Sequence, residues 1–92
     1  MAFAVYFPVK NMSQEQYDQV HAQLDAIGQG EPDGRTIHCG FRVDDRIEVF
    51  DVYESMEAFQ AFGEHLMPIL AEHGIDPGEP MIHEVALLKT QG

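Results

Sequence analysis

The sequence predicts an α+β fold of order βαββαβ. Three observations carry this: four short runs rich in aromatic and β-branched residues, two longer stretches with apolar residues at helical spacing, and turn-forming residues between them. At 92 residues the chain is read as a single domain, residues 1–92, around one core. Its 45% hydrophobic content, with 6 Phe and 3 Tyr, supplies the apolar bulk such a core needs.

The first strand is expected over Ala2 to Phe7, ending where Pro8 removes a ladder donor. Ser13 followed by Gln16 has the form of a capping box, and Tyr17, Val20, Leu24 and Ile27 then recur at helical spacing until Gly28. Gln29 to Arg35, with two Gly, one Pro and two acids, reads as a loop. Thr36 to Phe41 and Ile47 to Tyr53 form a hairpin that reverses at Asp44 and Asp45. Ser55 caps a second helix with the stripe Phe59, Phe62, Leu66, Ile69 and Leu70; Pro68 is expected to bend or restart it, and Gly74 to end it. After a Pro- and Gly-punctuated connection, Met81 to Lys89 is read as the last strand.

This order is the ferredoxin-like split βαβ arrangement, a four-stranded antiparallel sheet with two helices on one face. The other face also needs cover, and a second copy of the chain is the simplest partner, so a homodimer is expected.

A formal charge of -11, from 16 acids against 5 Lys and Arg, argues against nucleic acid or an anionic membrane as partner. Cys39 is the only cysteine, which rules out an intrachain disulfide and suits a cytoplasmic location. The apolar stretch from Met1 to Val9 is too short to span a bilayer. No cofactor is expected: Gly28 and Gly30 follow a helix rather than lead from a strand into one, and no metal-ligand spacing occurs.

With a two-residue turn at Asp44 and Asp45, His38 stands opposite Asp51 and Thr36 opposite Tyr53. Alternation then puts Ile37, Cys39, Phe41, Phe50 and Val52 on one face, expected beneath the helices. Thr36, His38, Gly40, Val49, Asp51 and Tyr53 share the other, expected to be open and to line a ligand cavity in the dimer, with Tyr6 as a further lining residue. A carboxylate beside His38 would orient the imidazole for proton transfer, and Tyr53 would donate to a developing oxyanion. The same His38 and Asp51 would also satisfy each other as a structural cross-strand pair, and Tyr6 would serve as plain packing. Cys39, adjacent to His38, points to the opposite face and forms no dyad with it.

The segment Asp51-Val52-Tyr53-Glu54-Ser55, preceded by His38 and followed by Leu66-Met67-Pro68-Ile69-Leu70, resembles the dimeric α/β-barrel superfamily. Specifically it is similar to small bacterial antibiotic-biosynthesis-monooxygenase-like proteins, in which a D-V-W-E-S-type strand end leads into a helix with an L-x-P-x-L run. Tyr53 stands here at the Trp position. The resemblance implies a ferredoxin-like domain that dimerises as an α/β barrel. Superfamily members include cofactor-independent monooxygenases, polyketide cyclases, lactone isomerases and haem-degrading enzymes, so the fold alone names no reaction. The haem-degrading pattern of a helix His with an Asn and a Trp is not met, because the chain has no Trp. A His–Asn pair found late in the last strand of some relatives is replaced by Ala86 and Leu87.

The expected function is therefore cofactor-independent acid–base chemistry by His38, Asp51 and Tyr53 on a small apolar or aromatic, polyketide- or quinol-like molecule. Thr36, Gly40, Val49 and Tyr6 would line its site. The alternative is a dimeric small-molecule-binding or accessory protein without catalysis.

Overall fold

The computed structural model describes residues 1–91; Gly92, the end of the expected domain, lies outside the described residues. The elements run β1 (Phe3–Phe7), α1 (Gln14–Ala26), β2 (Arg35–Val43), β3 (Arg46–Tyr53), α2 (Met56–Glu72) and β4 (Met81–Glu84). They form one antiparallel sheet of order β2-β3-β1-β4. This is the ferredoxin-like arrangement.

Both helices start where their caps predict. Ser13 Oγ accepts from the Gln16 backbone N–H at 3.1 Å while the Gln16 side chain accepts from the Ser13 N–H at 3.0 Å, and Ser55 Oγ accepts from the Ala58 N–H at 3.1 Å. Such caps are worth about 1 kcal/mol each. The second helix ends before Gly74, whose φ of 67° is cheap only for glycine. Pro68 does not restart it: α2 runs through the proline as one helix, with Ile69 and Leu70 directly after it buried in the core. Ile27, expected in the buried stripe of α1, is its exposed C-cap.

The core joins Val5, Phe7, Ile47 and Tyr53 of the sheet to Val20 and Leu24 of α1 and to Phe62, Ile69 and Leu70 of α2. Both helices therefore cover the same sheet face. The last strand is shorter than expected, stopping at Glu84 rather than Lys89. Glu84 lies opposite Phe3, where β1 begins; Val85 still donates to the Ala2 carbonyl, but Leu87 and Leu88 beyond it are exposed.

Register assigns the faces and reverses the expected assignment. Val5 pairs with Asp51 and Phe7 with Val49, so Asp51 and Val49, with their β2 partners His38 and Gly40, lie beneath the helices. Ile37, Cys39, Phe41, Phe50 and Val52 face away from them, together with Ala4 and Tyr6 of β1. Alternation reports which residues share a face, not which face the helices take, and the more apolar set was the wrong guide because the polar His38 and Asp51 satisfy each other by hydrogen bonding and so can be buried.

The hairpin turns at Asp44 and Asp45 as predicted, and His38 stands opposite Asp51. Thr36 is not opposite Tyr53. A bulge between Arg35 and Ile37 removes Thr36 from the pairing and sets Arg35 against Tyr53.

Candidate functional site

Four side chains form a hydrogen-bonded line under the helices. Tyr17 Oη on α1 lies 2.8 Å from His38 Nε2, His38 Nδ1 lies 2.6 Å from Asp51 Oδ1, and the Tyr53 hydroxyl donates to Asp51 Oδ2 at 2.8 Å. A carboxylate accepts at both oxygens, so Nδ1 donates to Asp51; in the neutral imidazole Nε2 then presents its lone pair to the Tyr17 hydroxyl. Asp51 is 2% exposed and Tyr53 0%, so both charge and phenol are sealed, while the His38 side chain keeps 20% exposure. No buried side-chain polar atom among the described residues lacks a partner.

A cavity of about 50 Å³ opens between the sheet and the helices beside this line. Phe7, Val20, Leu24, Val49 and Phe62 supply apolar walls, and Tyr17, His21, Arg35, His38 and Asp51 its polar groups. His21 follows Tyr17 by one helical turn; its ring centroid is 4.4 Å from that of Tyr17 and 5.0 Å from that of His38. Burial holds His21 below the ordinary imidazole value, with His38 and Arg35 adding to the effect. Burial also raises the Tyr17 phenol, reinforced by the charge of Asp51, and raises Tyr53 strongly for the same two reasons. Both phenols are thus kept as donors.

The structure brings His38, Asp51, Tyr53, Gly40 and Val49 to one face, but within a single chain and beneath its helices rather than between two sheets. Tyr53 holds Asp51 and does not line the cavity. Gly40 does not line it either but makes room for Tyr17: a methyl group there would overlap the Tyr17 hydroxyl. Tyr6 is on the opposite face, where it donates to Glu48 and stacks on Phe41 with centroids 6.2 Å apart. Thr36 is exposed at the bulge and donates to the Val52 carbonyl at 3.3 Å.

Tyr17, His21 and Arg35 are cavity residues that sequence reasoning did not place there. Tyr17 and His21 sit on the same helix stripe as Val20 and Leu24, a signal that was present. Gly40 was another, since a glycine inside a strand marks a close approach from its own face. Among the described residues, no three His, Cys, Asp or Glu side chains gather as a metal site, and no helix is long and apolar enough to cross a membrane.

No protein-family model matches the sequence, and no curated protein matches it. Solved structures do. The protein YJCS is similar with a TM-score of 0.66 at 11% identity, over 92% of this chain and 99% of that one. SnoaB, a cofactor-independent oxygenase from Streptomyces nogalater, is similar with a TM-score of 0.62 at 17% identity, over 98% and 96% of the two chains. A Caulobacter crescentus protein assigned provisionally as an antibiotic biosynthesis monooxygenase has a TM-score of 0.57 at 18% identity, over 96% and 89%. At these TM-scores and identities the chain shares the ferredoxin-like fold of these solved structures.

Proposed function

We propose that this protein is a cofactor-independent enzyme that moves a proton on a small, largely apolar aromatic or polyketide-like molecule, with His38 as the base. The observation that carries this reading is the placement of His38: one ring nitrogen bound to a carboxylate that is 2% exposed, the other at an apolar cavity. Asp51 fixes the tautomer and stabilises the imidazolium formed when Nε2 takes a proton. A ligand hydroxyl would take the place of the Tyr17 hydroxyl at Nε2, and the freed Tyr17 would donate to the ligand oxygen. Tyr53 acts through Asp51 in this scheme. The electron-rich enolate or phenolate left behind then reacts with O₂, as in an oxygenase, or is reprotonated elsewhere, as in a cyclase or isomerase. The likeness to a cofactor-independent oxygenase supports the first of these.

A second reading has its own support. His38 Nε2 is already satisfied by Tyr17, and the cavity is small as it stands, which suits a binding or accessory protein whose His–Asp pair is structural. Turnover separates the two. With hydroxyarenes and enolisable dicarbonyls as candidate substrates, O₂ uptake and exchange of substrate C–H in D₂O are measured for the wild type and His38→Ala. Loss of about 10²-fold or more with the fold intact supports the base role; binding without turnover in either protein supports the second reading.

We further propose that the sheet face turned from the helices pairs with that of a second copy. Phe50 and Cys39 are exposed there, beside Phe41 and Tyr6. The ligand site would lie within each protomer.

A further inference from the structure

We propose that Arg35 holds a negatively charged oxygen of the ligand in the His38 cavity, which makes the preferred ligand class one with an acidic hydroxyl, a phenol or an enol. The inference rests on the reading of His38 as a base and adds the group that receives the charge the base creates.

Strand alternation alone would place Arg35 with Ile37, on the face away from the helices. The bulge at Thr36 undoes this: it sets Arg35 opposite Tyr53, on the face of His38 and Asp51, and Arg35 becomes a wall of the cavity. Bulges of this kind re-aim side chains beside functional sites.

Arg35 is also an unneutralised cation in a chain with 16 acids and 5 Lys and Arg. Among the described residues the Lys and Arg ion pairs are Lys10 with Asp76 and Arg46 with Asp44 and Glu48; Arg35 has none. Glu31 and Asp33, which share with it a polar depression leading to His38, are not within ion-pair distance. Its contacts are a hydrogen bond from Nη2 to the Gly30 carbonyl at 2.9 Å and the face of Phe62, with Cζ 5.5 Å from the ring centroid. Phe62 flanks the guanidinium, and with its side-chain hydrogen bond made from Nη2 to Gly30 the remaining N–H donors are available to an oxyanion.

The proton balance gives this cation its use. The ligand O–H proton passes to His38 Nε2, the imidazolium stays paired with Asp51, and the ligand oxygen keeps the electron pair and one negative charge. In an apolar cavity that charge needs a partner, and Arg35 is the permanently charged cation among its walls.

The test uses 4-nitrophenol and nitrobenzene, similar in shape but only one able to ionise, titrated above the phenol's own pKa. The wild type is expected to prefer the phenolate, and Arg35→Gln to weaken phenolate binding about tenfold while leaving nitrobenzene within about twofold. Equal weakening of both probes would show that Arg35 only shapes the cavity, and no weakening of either would show that it does not touch the ligand; each overturns the inference and leaves the role of His38 standing. Failure of the wild type to bind either probe would overturn the inference together with the reading of the cavity as a ligand site. If Arg35→Gln does not fold, Arg35→Met replaces it as the neutral variant: selective loss of phenolate affinity supports the inference, and unchanged or equally weakened affinities for the two probes overturn it.

Discussion

Both oxygens of Asp51 are occupied from within the chain, Oδ1 by His38 and Oδ2 by Tyr53. Tyr53→Phe would strand Oδ2 in a site closed to water, at an expected cost of about 1–3 kcal/mol in urea denaturation, with His38 still held through Oδ1. Asp51→Asn puts an amide donor where two donors already point, so it should cost stability on the same scale and also free the His38 tautomer. Its signature is loss of any turnover or ligand-induced shift of the His38 NMR resonances while the circular dichroism spectrum is kept. His21 adds a pH dependence. Burial, His38 and Arg35 hold it below the ordinary imidazole value, so as pH falls the unfolded chain takes up this proton before the folded one. Its contribution is therefore complete above the unfolded value of about 6.5 and is lost as pH falls through that value toward the folded one. His21→Gln should flatten this part of the slope, read from denaturation midpoints at about pH 7.5 and about pH 5.5.

At the scale of elements, the site is made where α1 crosses the β2–β3 hairpin. Gly40 opens the space that the Tyr17 ring fills on its way to His38. Gly40→Ala should destabilise the fold by about 1–3 kcal/mol through overpacking, and by clearly less in a Tyr17→Ala background. A double-mutant cycle by thermal or urea unfolding checks this; additive effects would mean that Gly40 serves something other than Tyr17. The elements themselves were legible because their signals are local: Ser13 with Gln16, Ser55, Gly74 and the Asp44–Asp45 reversal each act within a few residues. The bulge at Thr36 was not. It arises where β2 enters the sheet from the loop and takes its position against Tyr53, and nothing in the local order of Arg35, Thr36 and Ile37 announces it.

For the whole molecule, the uncovered sheet face and the charge of -11 act against each other. Apolar residues such as Phe50 and Phe41 favour pairing with a second copy, and like charge on two acidic protomers opposes it. The expected outcome is a dimer that tightens as salt screens the repulsion, and that Phe50→Lys converts to a folded monomer. Light scattering behind size-exclusion chromatography at low and high salt measures both; a wild type that stays monomeric at all salt concentrations would rule out the pairing. Because the cavity lies within one chain, the monomeric variant should still bind 4-nitrophenol as the wild type does.

By itself the sequence determined the element order, the caps, the hairpin and the juxtaposition of His38 with Asp51, since each follows from spacing along one or two neighbouring segments. Tertiary structure alone decided which face of the sheet the helices cover. That decision moved the site from the gap between two copies to the interior of one, brought Tyr17 and His21 to it and sent Tyr6 away, while the bulge at Thr36 added Arg35. The physical reason is that alternation is symmetric between the two faces of a strand: it groups side chains into two sets, and only packing against helices distant in the chain chooses the set that is buried.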